Sequence, residues 1–248
     1  MTVSNTSLRE RVLAALDVPD LATALRLTEE LRPAVGGFKV GLELCTAAGV
    51  PHVVQAIAQA GGQLFLDLKL HDIPNTVART VGAIGSLGAA VRMLTLHCHG
   101  GAAMMRAAAA AAAELGPERP WLLGVTVLTS LDAPALYDEL QVAVPLSEHV
   151  LHLARMAQHC GLDGVVASPH EAAAIRAACG PQFLIVTPGV RPHWAGDGDQ
   201  RRTLTPGAAL RLGADYLVIG RPLTAPPPTI GSPAAAAAQI VAELEGTV

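Results

Sequence analysis

A single closed (β/α)8 barrel spanning residues 1–248 is the fold class this sequence predicts. Short apolar runs alternate with helix signals from one end of the chain to the other, and eight such runs can be read in its 248 residues. That is the number and spacing a closed barrel needs. No GxGxxG follows the first run, as an open doubly wound sheet would favour. Polar residues also close the apolar runs all along the chain, whereas an open sheet gathers them at one switch point.

The first strand is read at Val12–Val18 and carries Asp17 near its end. The second is Gly37–Gly41, around Lys39, and Gly61 stands where the helix after it should stop. The third, Gln63–Leu70, runs into an Asp-Ile-Pro-Asn-Thr turn, and the fourth is Val91–Cys98. Ala107–Ala113 lies in a helical pattern and reflects helix propensity. After the fifth strand, Trp121–Leu128, Ser147 is expected to cap a helix running to His159. The sixth strand, Asp163–Ser168, leads into Ser168-Pro169-His170-Glu171, which reads as a capping box with proline at the first helical position. Gly180 ends that helix before the seventh strand, Phe183–Thr187. Residues 189–204, GVRPHWAGDGDQRRTL, have no periodicity, and a connection of this length in a compact domain reads as an active-site lid. Thr205-Pro206 starts the next helix, Gly213 stops it, and the eighth strand is Tyr216–Gly220. Ser232-Pro233 opens a last helix through the alanine run Ala234–Ala238.

Composition narrows the function. The chain is 51% apolar and 15% charged, which excludes disorder. A net charge of −4 and the lack of a basic run argue against nucleic acid. No apolar stretch approaches the ~18 residues that read as a membrane span. The opening MTVSNTSLRER has no basic region followed by an apolar core, so the expectation is a cytoplasmic protein. Cys45, Cys98, Cys160 and Cys179 are scattered without a CxxC and read as buried thiols.

The chain contains only two lysines, Lys39 and Lys69, and fifteen arginines. Each lysine ends an apolar run, where a compact ammonium can donate a proton or bind a small anion and a guanidinium cannot donate. Chance in an arginine-biased composition is the alternative. Residues two apart on a strand share a face, so Asp67 and Lys69 should point together, with Phe65 before them. Asp72, Asp17 and Lys39 would bring five ionisable groups to three neighbouring strand ends. Opposite charges at such spacing hold one another ionised. A structural ion-pair network could explain part of this. Arg191, and Gly220 with Arg221, follow strands seven and eight, where barrels often hold phosphate. Thr129-Ser130 is either a polar hydrogen-bonding pair or a simple turn, and Ser130 has no evident base beside it. His97 and His99 could suggest a metal, but no third ligand stands at a sensible spacing, so hydrogen-bonded histidines and no metal are expected.

The run from Asp67 to Thr76, DLKLHDIPNT, closely resembles the signature of the orotidine 5′-phosphate decarboxylase family. The likeness extends to ALDV at 15–18, KVG at 39–41, LTS at 128–130, TPGVRP at 187–192, GDQRR at 198–202 and VIGRP at 218–222. It implies cofactor-free decarboxylation of orotidine 5′-monophosphate to UMP in pyrimidine biosynthesis. Lys69 would be the proton donor and Asp67 would face the substrate carboxylate. Lys39 and Asp17 would contact the ribose and Thr129 the pyrimidine. Gln200, Arg191, Gly220 and Arg221 would hold the phosphate. The resemblance further implies a homodimer, with Asp72 and Thr76 reaching the neighbouring subunit's site. Metal-dependent sugar-phosphate decarboxylases on the same barrel, and a non-catalytic phosphate sensor, are the alternatives.

Overall fold

The computed structural model describes residues 6–195 and 204–246. Eight strands form a closed parallel barrel in chain order: β1 Val12–Ala15, β2 Gly37–Val40, β3 Leu64–Leu70, β4 Val91–His97, β5 Trp121–Val125, β6 Gly164–Val166, β7 Leu184–Thr187 and β8 Tyr216–Ile219. β1 closes the ring by pairing β8 as well as β2. All eight expected strands are present, trimmed at their ends. In β1, Leu16–Val18 leaves the ladder although Leu16 N–H still donates to Lys39 O at 2.9 Å. The apolar runs are longer than the strands because apolar side chains just past the ladder, such as Leu16, Val18 and Val127, stay buried.

Alternation along each strand builds two cores. Leu13, Ala15, Phe65, Met93, Leu123 and Val186 fill the barrel interior. Val12, Ala14, Phe38, Leu64, Leu66 and Leu94 face the surrounding helices. The inward row of β1, Leu13 and Ala15, points the period-two continuation toward Asp17. In β3 the inward Phe65 is likewise followed by Asp67. Carboxylates thus enter at the mouth along rows that are apolar deeper down.

The helices are α1 Leu21–Leu31, α2 Leu42–Ala48, α3 Val50–Gln59, α4 Pro74–Gly85, α5 Gly101–Ala113, α6 Ala133–Asp138, α7 Leu146–His159, α8 Ala172–Cys179, α9 Pro206–Arg211, α10 Arg221–Thr224 and α11 Pro233–Glu245. Thr205 and Ser232 cap α9 and α11 as expected, accepting from Ala208 and Ala235 N–H. Gly61, Gly180 and Gly213 end their helices with positive φ. Ser147 is not a cap: α7 begins at Leu146, behind Pro145 at φ −53°, ψ 143°. Proline's fixed φ sets the entry to this helix instead of a side-chain hydroxyl. Ser168 opens a short 3-10 turn, Pro169–Glu171, before α8 instead of an α-helix directly.

Two ion pairs sit at the N-terminal rim. Asp163 accepts Leu122 N–H at 2.8 Å and is gripped by both terminal nitrogens of Arg119 at 2.7 Å. Asp215 accepts Ile185 N–H at 2.7 Å and Arg176 at 2.6 Å. Burial raises the Asp215 carboxyl pKa, while Ile185 N–H and Arg176 pull it back down. All four cysteines are buried and free. Among the described residues no helix is long and apolar enough to cross a membrane.

Candidate active site

At the C-terminal mouth four of the expected charged residues meet. Lys39 Nζ donates to Asp17 Oδ1 at 2.7 Å and lies 3.8 Å from Asp67 Oδ2. Lys69 Nζ donates to that same Asp67 oxygen at 2.6 Å. The order Asp17, Lys39, Asp67, Lys69 alternates in charge, so every group has an opposite neighbour, which is what makes such burial tolerable. Asp67 is the most enclosed, with its side chain 11% exposed against 55% for Asp17.

The route by which β3 presents Lys69 differs from simple alternation. Leu66 pairs with Leu94 and Leu70 with Leu96, so Asp67, Leu68 and Lys69 all stand opposite Thr95 alone. This bulge turns Lys69 to φ +50°, an uncommon conformation for a residue with a side chain. Asp67 and Lys69 do converge as the sequence suggests, but through the bulge. Thr95, buried in β4, was not legible as a site residue. It is the one hydroxyl in VRMLTLH, and the bulge that brings it to Asp67 leaves no mark in the sequence.

The charges form one side of a cavity of about 470 Å³. Phe65, Val125, Val166 and Val218 supply apolar wall; Thr129, Arg191, Gly220 and Arg221 line it as well. A charged array, an apolar wall and two arginines in one cavity suit a ligand with a flat ring and an anionic tail.

The family model described as orotidine 5′-phosphate decarboxylase / HUMPS matches residues 10–240. The chain belongs to that family. It is 54% identical over 241 residues to the orotidine 5′-phosphate decarboxylase of Moorella thermoacetica, covering 96% of this chain and 93% of that protein. The protein of the same name from Syntrophomonas wolfei is 47% identical, over 96% of this chain and 98% of its own length. Among solved structures, the orotidine 5′-phosphate decarboxylase of Lactobacillus acidophilus superposes with a TM-score of 0.80 at 37% identity, covering 94% of this chain and 98% of that one.

Membership of the orotidine 5′-phosphate decarboxylase / HUMPS family frames the remaining residues. Asp72 is exposed, and its Oδ1 accepts its neighbour Ile73 N–H at 2.6 Å. Neither Asp72 nor Thr76 lines the cavity of its own chain. The five-membered cluster read from the sequence is therefore four-membered within one chain, because the chain turns outward after Leu70. Residues 71–76 are all exposed, Ile73 at 66%. Gln200 lies outside the described residues. The two ends of the 189–204 connection are joined: Arg191 N–H donates to Leu204 O at 2.9 Å, and Leu204 N–H to Gly189 O at 3.2 Å. Ser130 stands apart from the cavity, beside Asp132 and Glu139 at the surface.

The histidines extend away from the charges. His97 ends β4 with its ring centre 5.4 Å from that of His71. Burial, then the neighbouring charges of His71, His99 and Lys69, push the His97 pKa down to about 4. His99 Nε2 and His149 Nε2 are 3.0 Å apart with ring centres at 5.2 Å. The rings thus meet nearly end to end, as a hydrogen-bonded pair does. Burial, and then each other's charge for His99 or that of His152 for His149, lowers both pKa values. Among the described residues no group of three or more His, Cys, Asp or Glu side chains is arranged to hold a metal.

Proposed function

We propose that the chain decarboxylates orotidine 5′-monophosphate to UMP and CO2, using its own side chains in place of a cofactor. The observation that carries this reading is the Asp17–Lys39–Asp67–Lys69 array inside a cavity that Arg191 and Arg221 also line. Arg191, Arg221 and the Gly220 backbone bind the 5′-phosphate. Lys39 and Asp17 bind the ribose hydroxyls, and Thr129 the pyrimidine.

The substrate carboxylate then lies beside Asp67. That aspartate is held on one oxygen by Lys69 and on the other by Thr95, so it cannot swing away from the like charge. The C6–carboxylate bond breaks, CO2 leaves, and the electron pair stays on C6. No adjacent group can delocalise that pair, so the Lys69 ammonium stabilises it and then delivers a proton to C6. Solvent reprotonates Lys69 after UMP departs. Removing the carboxylate also relieves its repulsion from Asp67.

The reading includes a homodimer in which Asp72 and Thr76 complete the partner's site. Their exposure, and that of Ile73 between them, supports it. Closure of the 189–204 connection, with Gln200, over the phosphate converts binding energy at the phosphate into rate at C6. The free buried thiols suit a reducing cytoplasm.

The test is to mix purified protein with orotidine 5′-monophosphate, with and without EDTA, and follow the ultraviolet change as UMP forms. Turnover unaffected by the chelator is expected. No turnover of orotidine 5′-monophosphate, with chelator-sensitive turnover of a sugar phosphate instead, would point to a metal-dependent sugar-phosphate decarboxylase. UMP binding without any turnover would point to a sensor.

A further inference from the structure

We infer that Thr95 is a positioning residue for the reaction: its hydroxyl sets where the Lys69 ammonium and the Asp67 carboxylate stand. The inference rests on the decarboxylase reading above and names a residue outside the cavity lining. The bulge in β3 supplies the reason. With Asp67, Leu68 and Lys69 all opposite Thr95, the regular ladder between Leu66 and Leu70 is interrupted. The Lys69 N–H must then find another acceptor, since an unpaired buried amide is costly. Thr95 Oγ1 accepts it at 2.8 Å and donates its own proton to Asp67 Oδ1 at 2.9 Å.

These bonds close a ring. From Lys69 N–H the path runs through Thr95 Oγ1 to Asp67 Oδ1, across the carboxylate to Oδ2, and back to Lys69 through Nζ at 2.6 Å. Both ends of Lys69 are therefore referred to one carboxylate, the backbone end through the Thr95 hydroxyl and Nζ directly. Thr95 is fully buried, so no water substitutes for it without displacing core side chains. The strained φ of +50° at Lys69 persists only where its surroundings hold it. Thr95 supplies that hold on the backbone and fixes the carboxylate plane at the same time.

Thr95→Val keeps shape and removes both hydrogen bonds, whereas Thr95→Ser keeps the hydroxyl. Because Thr95 does not line the cavity, its loss should act on geometry at C6 and not on substrate binding. Displacing a reacting group by a fraction of an ångström to about 1 Å costs on the order of 10–100-fold in rate. The expected result for Thr95→Val is a kcat lower by about that factor per folded protomer, with KM and UMP affinity within about threefold of the parent. Thr95→Ser should regain most of the loss. Should the valine variant fail to fold, Thr95→Cys preserves volume and weakens both bonds, and should fall between the other two.

A second readout needs no turnover. With only Lys39 and Lys69 in the chain, protein labelled at the lysine side-chain nitrogen gives two ammonium signals in NMR. In Thr95→Val or Thr95→Cys the Lys69 signal should move more than that of Lys39, and in Thr95→Ser it should return. Superimposable lysine spectra, an unchanged kcat, or a loss that serine does not regain would overturn the inference. Absence of turnover in the parent would overturn the proposed function instead, and the lysine spectra would still decide the role of Thr95.

Discussion

Replacing Lys69 with alanine removes the ammonium that would protonate C6, and its surroundings set the size of the loss. Nζ stands 2.6 Å from Asp67 Oδ2 on the cavity wall, already oriented before substrate arrives. Two contributions disappear together. Positioned proton transfer is worth about 10²–10⁴ in rate. One preorganised donor to developing negative charge is worth about 10²–10³. A fall in kcat of at least about 10⁴-fold is expected, equivalent to about 5.5 kcal/mol of barrier. Lys69→Arg should recover less than about tenfold of this, because a guanidinium restores charge but releases no proton near neutral pH. The fold should survive. Lys69 is 30% exposed, and Asp67 keeps Thr95 at 2.9 Å and Lys39 at 3.8 Å. The stability loss is therefore held to about 1–2 kcal/mol, short of the ~3–5 kcal/mol for orphaning a fully buried charge. The assay is UMP formation by ultraviolet absorbance, paired with a thermal melt and UMP binding. A folded Lys69→Ala protein that turns over substrate within about tenfold of the parent would refute the proton-donor assignment.

Arg221→Ala should raise KM and also lower kcat, since phosphate binding drives closure; steady-state kinetics that show a rise in KM alone would remove closure from the account. Mixing inactive Lys69→Ala and Asp72→Ala subunits should restore about a quarter of the parent activity, because mixed dimers hold one site with both residues intact. No recovery after subunit exchange would mean Asp72 does not act across an interface. Arg176→Ala takes from the buried Asp215 its hydrogen-bonded cation, leaving the charge of Arg11, and strips hydrogen bonds from Gly180, Phe183 and Gly213 carbonyls. It should cost about 3–5 kcal/mol by denaturant unfolding, with kcat per folded protomer unchanged. The lowered pKa of His97, about 4 in the fold against 6.5 unperturbed, favours the neutral ring in the native state. Its stabilisation is complete above the unperturbed value and is lost as pH falls through the folded one, and His99 and His149 act in the same direction. Melting temperatures measured from about pH 7 down to about pH 4.5 should fall less steeply in His97→Gln than in the parent; parallel slopes would exclude His97 as a contributor.

The barrel was legible because its strands are buried on both faces and therefore stand out as continuous apolar runs. Their ends were not, because Leu16, Val18 and Val127 carry the apolar pattern on after leaving the ladder. Caps built on one side chain, such as Thr205 and Ser232, could be read; the start of α7 depends on the backbone at Pro145 and could not. Asp17, Lys39, Asp67 and Lys69 could be found because charge at the end of an apolar run is conspicuous. Asp72 is equally conspicuous, yet its proximity to Lys69 in sequence said nothing about the outward turn after Leu70. Thr95 could not be found at all, since its role depends on a register shift between two strands. The pairs Arg119–Asp163 and Arg176–Asp215 could not be read, because pairing across 39 to 44 residues needs the closed ring.

The ion pairs at the N-terminal rim tie the last four strands into couples, Arg119–Asp163 joining β5 to β6 and Arg176–Asp215 joining β7 to β8. The same half of the barrel carries Arg191 and Arg221, while Asp17, Lys39, Asp67, Lys69 and Thr95 all belong to β1–β4 and the turns after them. A cut in the chain between β4 and β5 would therefore divide the anion grip from the reacting charges. Neither fragment would hold a working centre, and regained turnover would report that the two had found each other, making the molecule a natural candidate for a split-enzyme sensor of proximity.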